Sequence, residues 1–261
     1  MAKHRENCRL GKFWVAALLV ASLTQAQTPP DLKVAEGEYR MRVATGEANL
    51  DLRETWTLSQ RSDGSYRVES TMQFRIDKER MLLSSIIDFS PGLRPVQWQA
   101  AGWVPGMPKK PGTVTVQFDE KAVRWKFGTE QVTQEVEGPY GFFGLPMPWF
   151  LSDIAQHAPR DPGKPASLRF VWMDDSIDNP IDLLVAEGTV EFLGTERIKM
   201  AGRAWEARKF LVKPGELPSM VVWRSKEGVL LAVEDAKKPE QRMELIRYKE
   251  YRALVPLEEN R

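Results

Sequence analysis

Residues 65–76 read Ser-Tyr-Arg-Val-Glu-Ser-Thr-Met-Gln-Phe-Arg-Ile, and their alternation decides the fold class. Tyr66, Val68, Met72, Phe74 and Ile76 share one face at a spacing of two, while Arg67, Glu69, Gln73 and Arg75 share the other. Successive side chains of a strand point to opposite faces, so this run predicts a strand with one side in a core and one in water. Upstream, Leu50, Leu52, Trp56 and Leu58 alternate with Asp51, Arg53, Thr55 and Thr57. Between the two runs lies Arg61-Ser62-Asp63-Gly64, whose Asp-Gly pair supplies the positive φ of a tight hairpin turn.

The same period extends in both directions. Tyr39, Met41 and Val43 alternate with Arg40 and Arg42. Met81 to Phe89 carries apolar residues on both faces (Leu82, Leu83, Ile86, Ile87), which predicts a central strand covered on both sides. Pro91-Gly92 turns the chain. Val114, Val116 and Phe118 then pair through Asp119-Glu120-Lys121 with Val123, Trp125 and Phe127. Further strands are predicted over 168–172, 181–186, 189–193, 204–212, 220–223, 229–233 and 243–248, with turns at Gly188, Gly202, Gly215 and Gly228. One stretch has helical spacing: Trp149, Phe150, Ile154 and Ala158 follow Pro146 and Pro148 and stop at Pro159, which predicts a short helix over 148–157. The expectation is an all-β chain, a large curved antiparallel sheet or incomplete barrel with one short mid-chain helix able to plug it.

The first residues have a different character. Lys3, Arg5, Arg9 and Lys12 precede the apolar run Phe13 to Leu23, and Thr24 and Ala26 offer small residues before a cut at Gln27. The apolar core is well short of the roughly 20 residues that span a bilayer, so the pattern is that of a signal peptide over 1–26, with no transmembrane span after cleavage and a periplasmic or secreted product. Residues 27–33 read as an extended leader, 34–252 as a single β domain, and 253–261 as a tail. Pro159 to Pro165 is a joint that would divide the domain into halves 34–158 and 166–252.

Composition narrows the chemistry. The chain has 37 Lys plus Arg against 36 Asp plus Glu, and loss of 1–26 removes four cations and one anion, leaving a net of −2. No single-sign field draws it to nucleic acid, and charge repeats such as Arg40/Arg42 read as solvated strand faces. The lone Cys8 and one of two histidines leave with the leader, so His157 alone remains, expected at the end of a surface helix. Thiol catalysis and Cys or His zinc sites are thereby excluded, and no nucleophile elbow, phosphate loop, dinucleotide fingerprint or His-Glu-x-x-His motif is present. No cofactor is implied.

Two clusters could carry function. The acidic run 173–182 offers Asp174, Ser176 and Asp178 at alternate positions, a loose likeness to a calcium loop, and Asp174, Asp175 and Asp178 as carboxylates for a hydrolase. It lacks the central Gly and distal Glu of a calcium loop, and its Asp, Asn, Ser and Pro content also suits an ordinary turn. The second cluster is aromatic. Trp98, Trp103, Met107, Tyr140, Phe142, Phe143, Trp149 and Phe150 load apolar surface onto segments that Gly and Pro keep irregular. They are candidates either to line a site for a lipid or other apolar molecule in the concave sheet or to cap its core.

Three pieces carry a resemblance: Asp63-Gly64-Ser65-Tyr66-Arg67-Val68, then Gly92-Leu93-Arg94-Pro95, then the closing series 201–208, 223–228 and 243–248. On these the chain resembles a broad group of uncharacterised exported bacterial β-sheet proteins that form incomplete barrels, and in outline it is similar to the lipoprotein-carrier fold. That resemblance implies an apolar ligand and no defined catalytic residue. The readings are therefore a non-enzymatic exported protein that binds an apolar ligand, a structural or protein-interaction module of the cell envelope, or a carboxylate-dependent hydrolase.

Overall fold

The computed structural model describes residues 31–45, 48–76, 79–102, 112–173 and 183–254. Its elements are β1 (Leu32–Thr45), β2 (Ala48–Gln60), β3 (Tyr66–Ile76), β4 (Glu79–Phe89), β5 (Pro95–Gly102), β6 (Gly112–Phe118), β7 (Ala122–Phe127), β8 (Glu130–Glu135) and β9 (Tyr140–Phe143). The helix α1 (Met147–Gln156) follows. Then come β10 (Pro165–Met173), β11 (Leu183–Met200), β12 (Arg203–Lys213), β13 (Met220–Ser225), β14 (Leu230–Asp235) and β15 (Arg242–Glu250).

All 15 strands belong to one sheet, ordered β8-β7-β6-β5-β4-β3-β2-β1-β15-β14-β13-β12-β11-β10-β9. It consists of two meanders joined where β1 pairs with β15, so the two ends of the β region meet in its middle. Its edges, β8 and β9, are consecutive along the chain and linked through residues 136–139. The sheet is an unclosed barrel whose gap is spanned by other contacts. The Tyr140 hydroxyl of β9 reaches across it and donates to the Asp119 carbonyl of the β6–β7 turn at 2.6 Å, while on the β8 side the Val136 amide extends the β7–β8 ladder by donating to the Lys121 carbonyl at 2.8 Å. The expected curved, all-β architecture is what forms, antiparallel except for β9, which runs parallel to β10.

The β2–β3 hairpin shows why these residues fold so. Gly64 has φ +83°, its amide donates to the Arg61 carbonyl at 3.0 Å, and Asp63 accepts from the Ser65 amide at 2.9 Å. With that turn set, the register puts Leu52, Trp56 and Leu58 beside Phe74, Ser70 and Val68 on the inner face, all buried. The helix lies inside: Pro148 through Ala155 are all buried. A helix buried on every side must be apolar nearly all round, and its exceptions are partnered. Ser152 donates to the Gly228 carbonyl at 2.5 Å and accepts from Arg224 Nε at 3.0 Å.

Several details depart from the sequence pattern. Strand β4 is covered on one side only: Leu83 and Ile87 are buried, but Leu82 is 52% exposed and Ile86 is half-buried on the outer face. Trp98 and the Tyr140–Phe143 segment lie in strands β5 and β9, not in loops. Residues 183–193 form one unbroken strand, because Gly188 is a place of close approach and not a turn. A Cβ there would meet the Phe170 ring at 2.7 Å.

The burial pattern predicts opposite outcomes for two apolar residues. Trp98→Ala, at a site with 0% exposure, should lower stability by about 3–5 kcal/mol. Leu82→Ala should change it by no more than about 0.5 kcal/mol. Urea unfolding followed by circular dichroism measures both.

Candidate functional site

Four of the eight aromatic-cluster candidates converge in the barrel interior. Trp98 on β5, Phe142 on β9 and Phe150 on α1 meet with ring centroids 5.0–6.0 Å apart, and Phe118 joins them 5.1 Å from Phe142. On the other side of α1, Trp149 sets its edge against Trp56 at 5.0 Å and lies 6.2 Å from Phe89. Exposure of these four candidates runs from 0% to 5%, so among the described residues these rings pack against one another with almost no surface open to water. Tyr140 and Phe143 are half-buried at the margin of the interior. Trp103 and Met107 fall outside the described residues, as do Asp174, Asp175 and Asp178.

Two hollows remain of interest near these elements. At the mouth, Phe118, Tyr140 and Phe142 border a space of about 410 Å3 together with Asp153 and His157 from α1. His157 caps the C-terminus of the helix and sits at this rim. Burial raises the Tyr140 phenol above its ordinary pKa, with the Asp153 and Asp119 charges adding to it.

The larger hollow is on the outside, and the inner face explains it. The register aligns Gly37, Trp56, Ser70, Ser85 and Ala100 across β1 to β5 in a single rung. Four of these five inward side chains are very small. A sheet can bend inward where its inner face offers little volume, and over this rung the outer surface is a groove of about 870 Å3. Gly37 is required for it, since a Cβ there would meet Trp56 at 2.7 Å and the Arg247 carbonyl at 2.9 Å. The groove crosses seven strands, from Lys249 on β15 to Thr113 on β6, roughly 29 Å at about 4.8 Å per strand. Its walls are Thr55, Thr57, Thr71, Ser84, Gln99 and Ala101, with Ile86 and Glu69 between them and Glu36, Arg247 and Lys249 toward one end.

Beneath the groove lies the least expected group in the protein. Glu54 occupies an inward position of β2 between Leu52 and Trp56, with 0% exposure and no hydrogen-bond partner for either carboxyl oxygen. Ser70 and the Trp149 indole stand close enough to favour its anion slightly, without reaching hydrogen-bond geometry. Burial dominates and pushes its pKa up to about 8, so the carboxyl is neutral at pH 7. The next titratable group is Tyr39, whose hydroxyl donates to the Leu230 carbonyl at 3.0 Å and whose own pKa is raised by burial and by the Glu54 charge. Ser70 in turn shares a 3.0 Å hydrogen bond with Ser85, so the rung that floors the groove is tied to the carboxyl behind it.

Sequence reasoning passed over this region, although a signal was there. The apolar alternation of β2 and β3 is broken at Glu54 and Ser70, two polar residues at inward positions of otherwise regular strands. Among the described residues no group of three or more His, Cys, Asp or Glu is placed to hold a metal ion. No helix among them is long and apolar enough to cross a membrane.

Comparison with known proteins defines the fold and goes no further. No family model matches the chain, and no curated relative matches it. Among solved structures it is similar to the crystal structure of a β-barrel-like protein of domain of unknown function DUF1849 from Brucella abortus. That likeness has a TM-score of 0.54 at 10% identity and covers 84% of this chain and 98% of that one. At this identity it concerns architecture alone.

Glu54 gives a pH dependence of defined sign. Below the ordinary value of 4.5 the carboxyl is neutral in both folded and unfolded chains, whereas between 4.5 and about 8 only the unfolded chain ionises. Stability should therefore fall as pH rises across that window, by roughly 3 kcal/mol at pH 7 at about 1.4 kcal/mol per unit. In Glu54→Gln this component should vanish, and urea unfolding at several pH values would show it as a flatter profile.

Proposed function

We propose that the chain is an exported binding module of the cell envelope and that its ligand lies in the outer groove over the Gly37–Ala100 rung. The observation that carries this reading is the contrast between the two faces of the sheet. Inside, Trp98, Phe142, Trp149 and Phe150 pack against one another and leave no room for an acyl chain among the described residues. Outside, a hollow of about 870 Å3 is lined by side chains that both donate and accept hydrogen bonds. Export rests on the basic and apolar pattern of residues 1–26.

The lining indicates the class of ligand. From β1 to β5 the backbone ladders under the groove are paired on both sides, so an extended peptide finds no strand edge to join along that stretch. The charges at its end are engaged within the protein: Glu36 pairs with Lys33, Arg247 with Glu38 at 3.5 Å, and Lys249 lies over the Tyr251 ring at 4.5 Å. What remains is a row of hydroxyl and amide groups with the Glu69 carboxyl group among them, interrupted by Ile86 and Thr methyls. Such a surface matches a neutral polysaccharide, whose hydroxyls need donors and acceptors together and whose ring faces are weakly apolar. With one histidine and no cysteine after residue 26, the chain acts in this reading by binding and not by catalysis.

A second reading has one observation in its favour. The mouth hollow bordered by Phe118, Tyr140 and Phe142 could hold the end of an apolar molecule, as the aromatic content of the sequence implied. Affinity electrophoresis in gels containing dextran, soluble starch or glucomannan separates the two. Retardation by one of these polymers, weakened at least tenfold by the groove-filling substitutions Thr71→Trp and Ala101→Trp, is the expected result. Absence of retardation in all three gels, together with a stable fatty-acid adduct in native mass spectrometry, would move the site to the mouth.

A further inference from the structure

Two outer rungs flank the groove, and they differ in chemistry. The pairing of β2 to β5 sets Thr57, Glu69, Ile86 and Gln99 across from one another on one bank, and Thr55, Thr71, Ser84 and Ala101 on the other. The floor positions Trp56, Ser70, Ser85 and Ala100 lie between them and point inward. Residues two apart on a strand share a face and stand roughly 7 Å apart, so one ligand touches both banks. The second bank carries only short side chains. Only the first has groups long enough to reach over the floor.

Along the first bank the order is carboxylate, aliphatic, amide. Ile86 is half-buried between Glu69 on β3 and Gln99 on β5, and both flanking side chains are exposed. Neighbouring strands are about 4.8 Å apart, so the two polar groups spring from backbones about 10 Å apart on either side of an apolar platform. A pyranose ring has the complementary layout, a weakly apolar face of C–H groups inside a rim of hydroxyls. Thr57 and Ile86, the residues directly across from Glu69, carry no charge. Arg67, the cation two positions along the strand, is bound instead by Asp88, through Nε at 2.8 Å and Nη2 at 3.1 Å. Among the described residues no hydrogen bond or ion pair engages the Glu69 carboxylate.

We propose that Glu69, Ile86 and Gln99 form the subsite that sets specificity in the groove. The Glu69 carboxylate accepts from two hydroxyls on adjacent carbons of one sugar, whose ring face rests on Ile86, and the Gln99 amide serves the opposite rim. A carboxylate accepts through both oxygens, so a vicinal pair of hydroxyls is the donor set that one such group can hold at once. Hydrogen bonds of this charge-assisted kind are roughly twice as strong as neutral ones, which makes Glu69 the residue that discriminates. The subsite presupposes the polysaccharide reading of the groove and narrows it to polymers whose rings keep free hydroxyls on adjacent carbons. Dextran, starch and glucomannan meet that condition. A linear 1,3-linked glucan does not, because its linkage occupies the oxygen between the hydroxyls at carbons 2 and 4.

Affinity electrophoresis of the whole chain in gels of dextran, soluble starch, glucomannan and the 1,3-linked glucan laminarin tests the subsite. The wild-type chain should bind its preferred polymer among the first three at least tenfold more tightly than laminarin. In Glu69→Gln, which keeps the size of the side chain, binding of that polymer should drop at least tenfold and the preference over laminarin should shrink below threefold. Glu69→Asp, which keeps the carboxylate, should recover part of the loss and guards against a variant that fails to fold. Equal retardation of wild type and Glu69→Gln by a polymer that binds both would overturn the subsite and leave the groove reading standing. So would equal wild-type affinity for laminarin and the preferred polymer. Retardation by none of the four would overturn the groove reading and the subsite with it.

Discussion

The whole architecture depends on the packing of α1 inside the sheet. A sheet of 15 strands that curls without closing encloses a space, and that space must be filled by protein or by something else. Here the chain fills it with its own helix, whose residues from Pro148 to Ala155 are all buried. Trp149 meets Trp56, Phe150 meets Trp98 and Phe142, and Ser152 ties the helix to the Gly228 carbonyl and Arg224. Aromatic pairs of this kind contribute about 0.5–1.5 kcal/mol each beyond their buried area. Because β8 and β9 share no ladder, these contacts, with the tie from Tyr140 to the β6–β7 turn, hold the gap together.

The helix also shapes what lies outside. Trp56 is large and reaches inward to Trp149, but its neighbours across the rung are Gly37, Ser70, Ser85 and Ala100, so the sheet draws in beside it and the outer groove follows. Glu54 sits in the same layer as a neutral acid. A carboxyl with no hydrogen-bond partner in an apolar interior is costly as an anion and bearable as an acid, and its raised pKa expresses that difference. Interior packing, the buried carboxyl and the groove floor thus belong to one set of contacts through Trp149, Glu54, Ser70 and Ser85.

Much of the fold could be read from local pattern. The β2–β3 hairpin, the Asp63-Gly64 turn and a single helix ended by Pro159 are properties of short segments, and the helix lies within one residue of its expected bounds at each end. What local pattern could not show was which strands are neighbours. Leu82 and Ile86 read as a second buried face because apolar residues do not declare whether another layer will cover them. Gly188 read as a turn because a glycine required for close approach to Phe170 looks the same in sequence as one required for positive φ. The polar strand β8 and the parallel strand β9 lack the alternation that marks the others.

The central claim is that α1 is an integral plug and not a lid, and amide hydrogen exchange measured residue by residue tests it directly. If the barrel condenses on the helix, the amides of Leu151, Ile154 and Ala155 exchange only through global unfolding, as slowly as those of Leu58 and Val68 in the β2–β3 hairpin. Exchange of the helix amides well ahead of the hairpin, with the sheet still protected, would show that α1 leaves the interior on its own and would contradict the account.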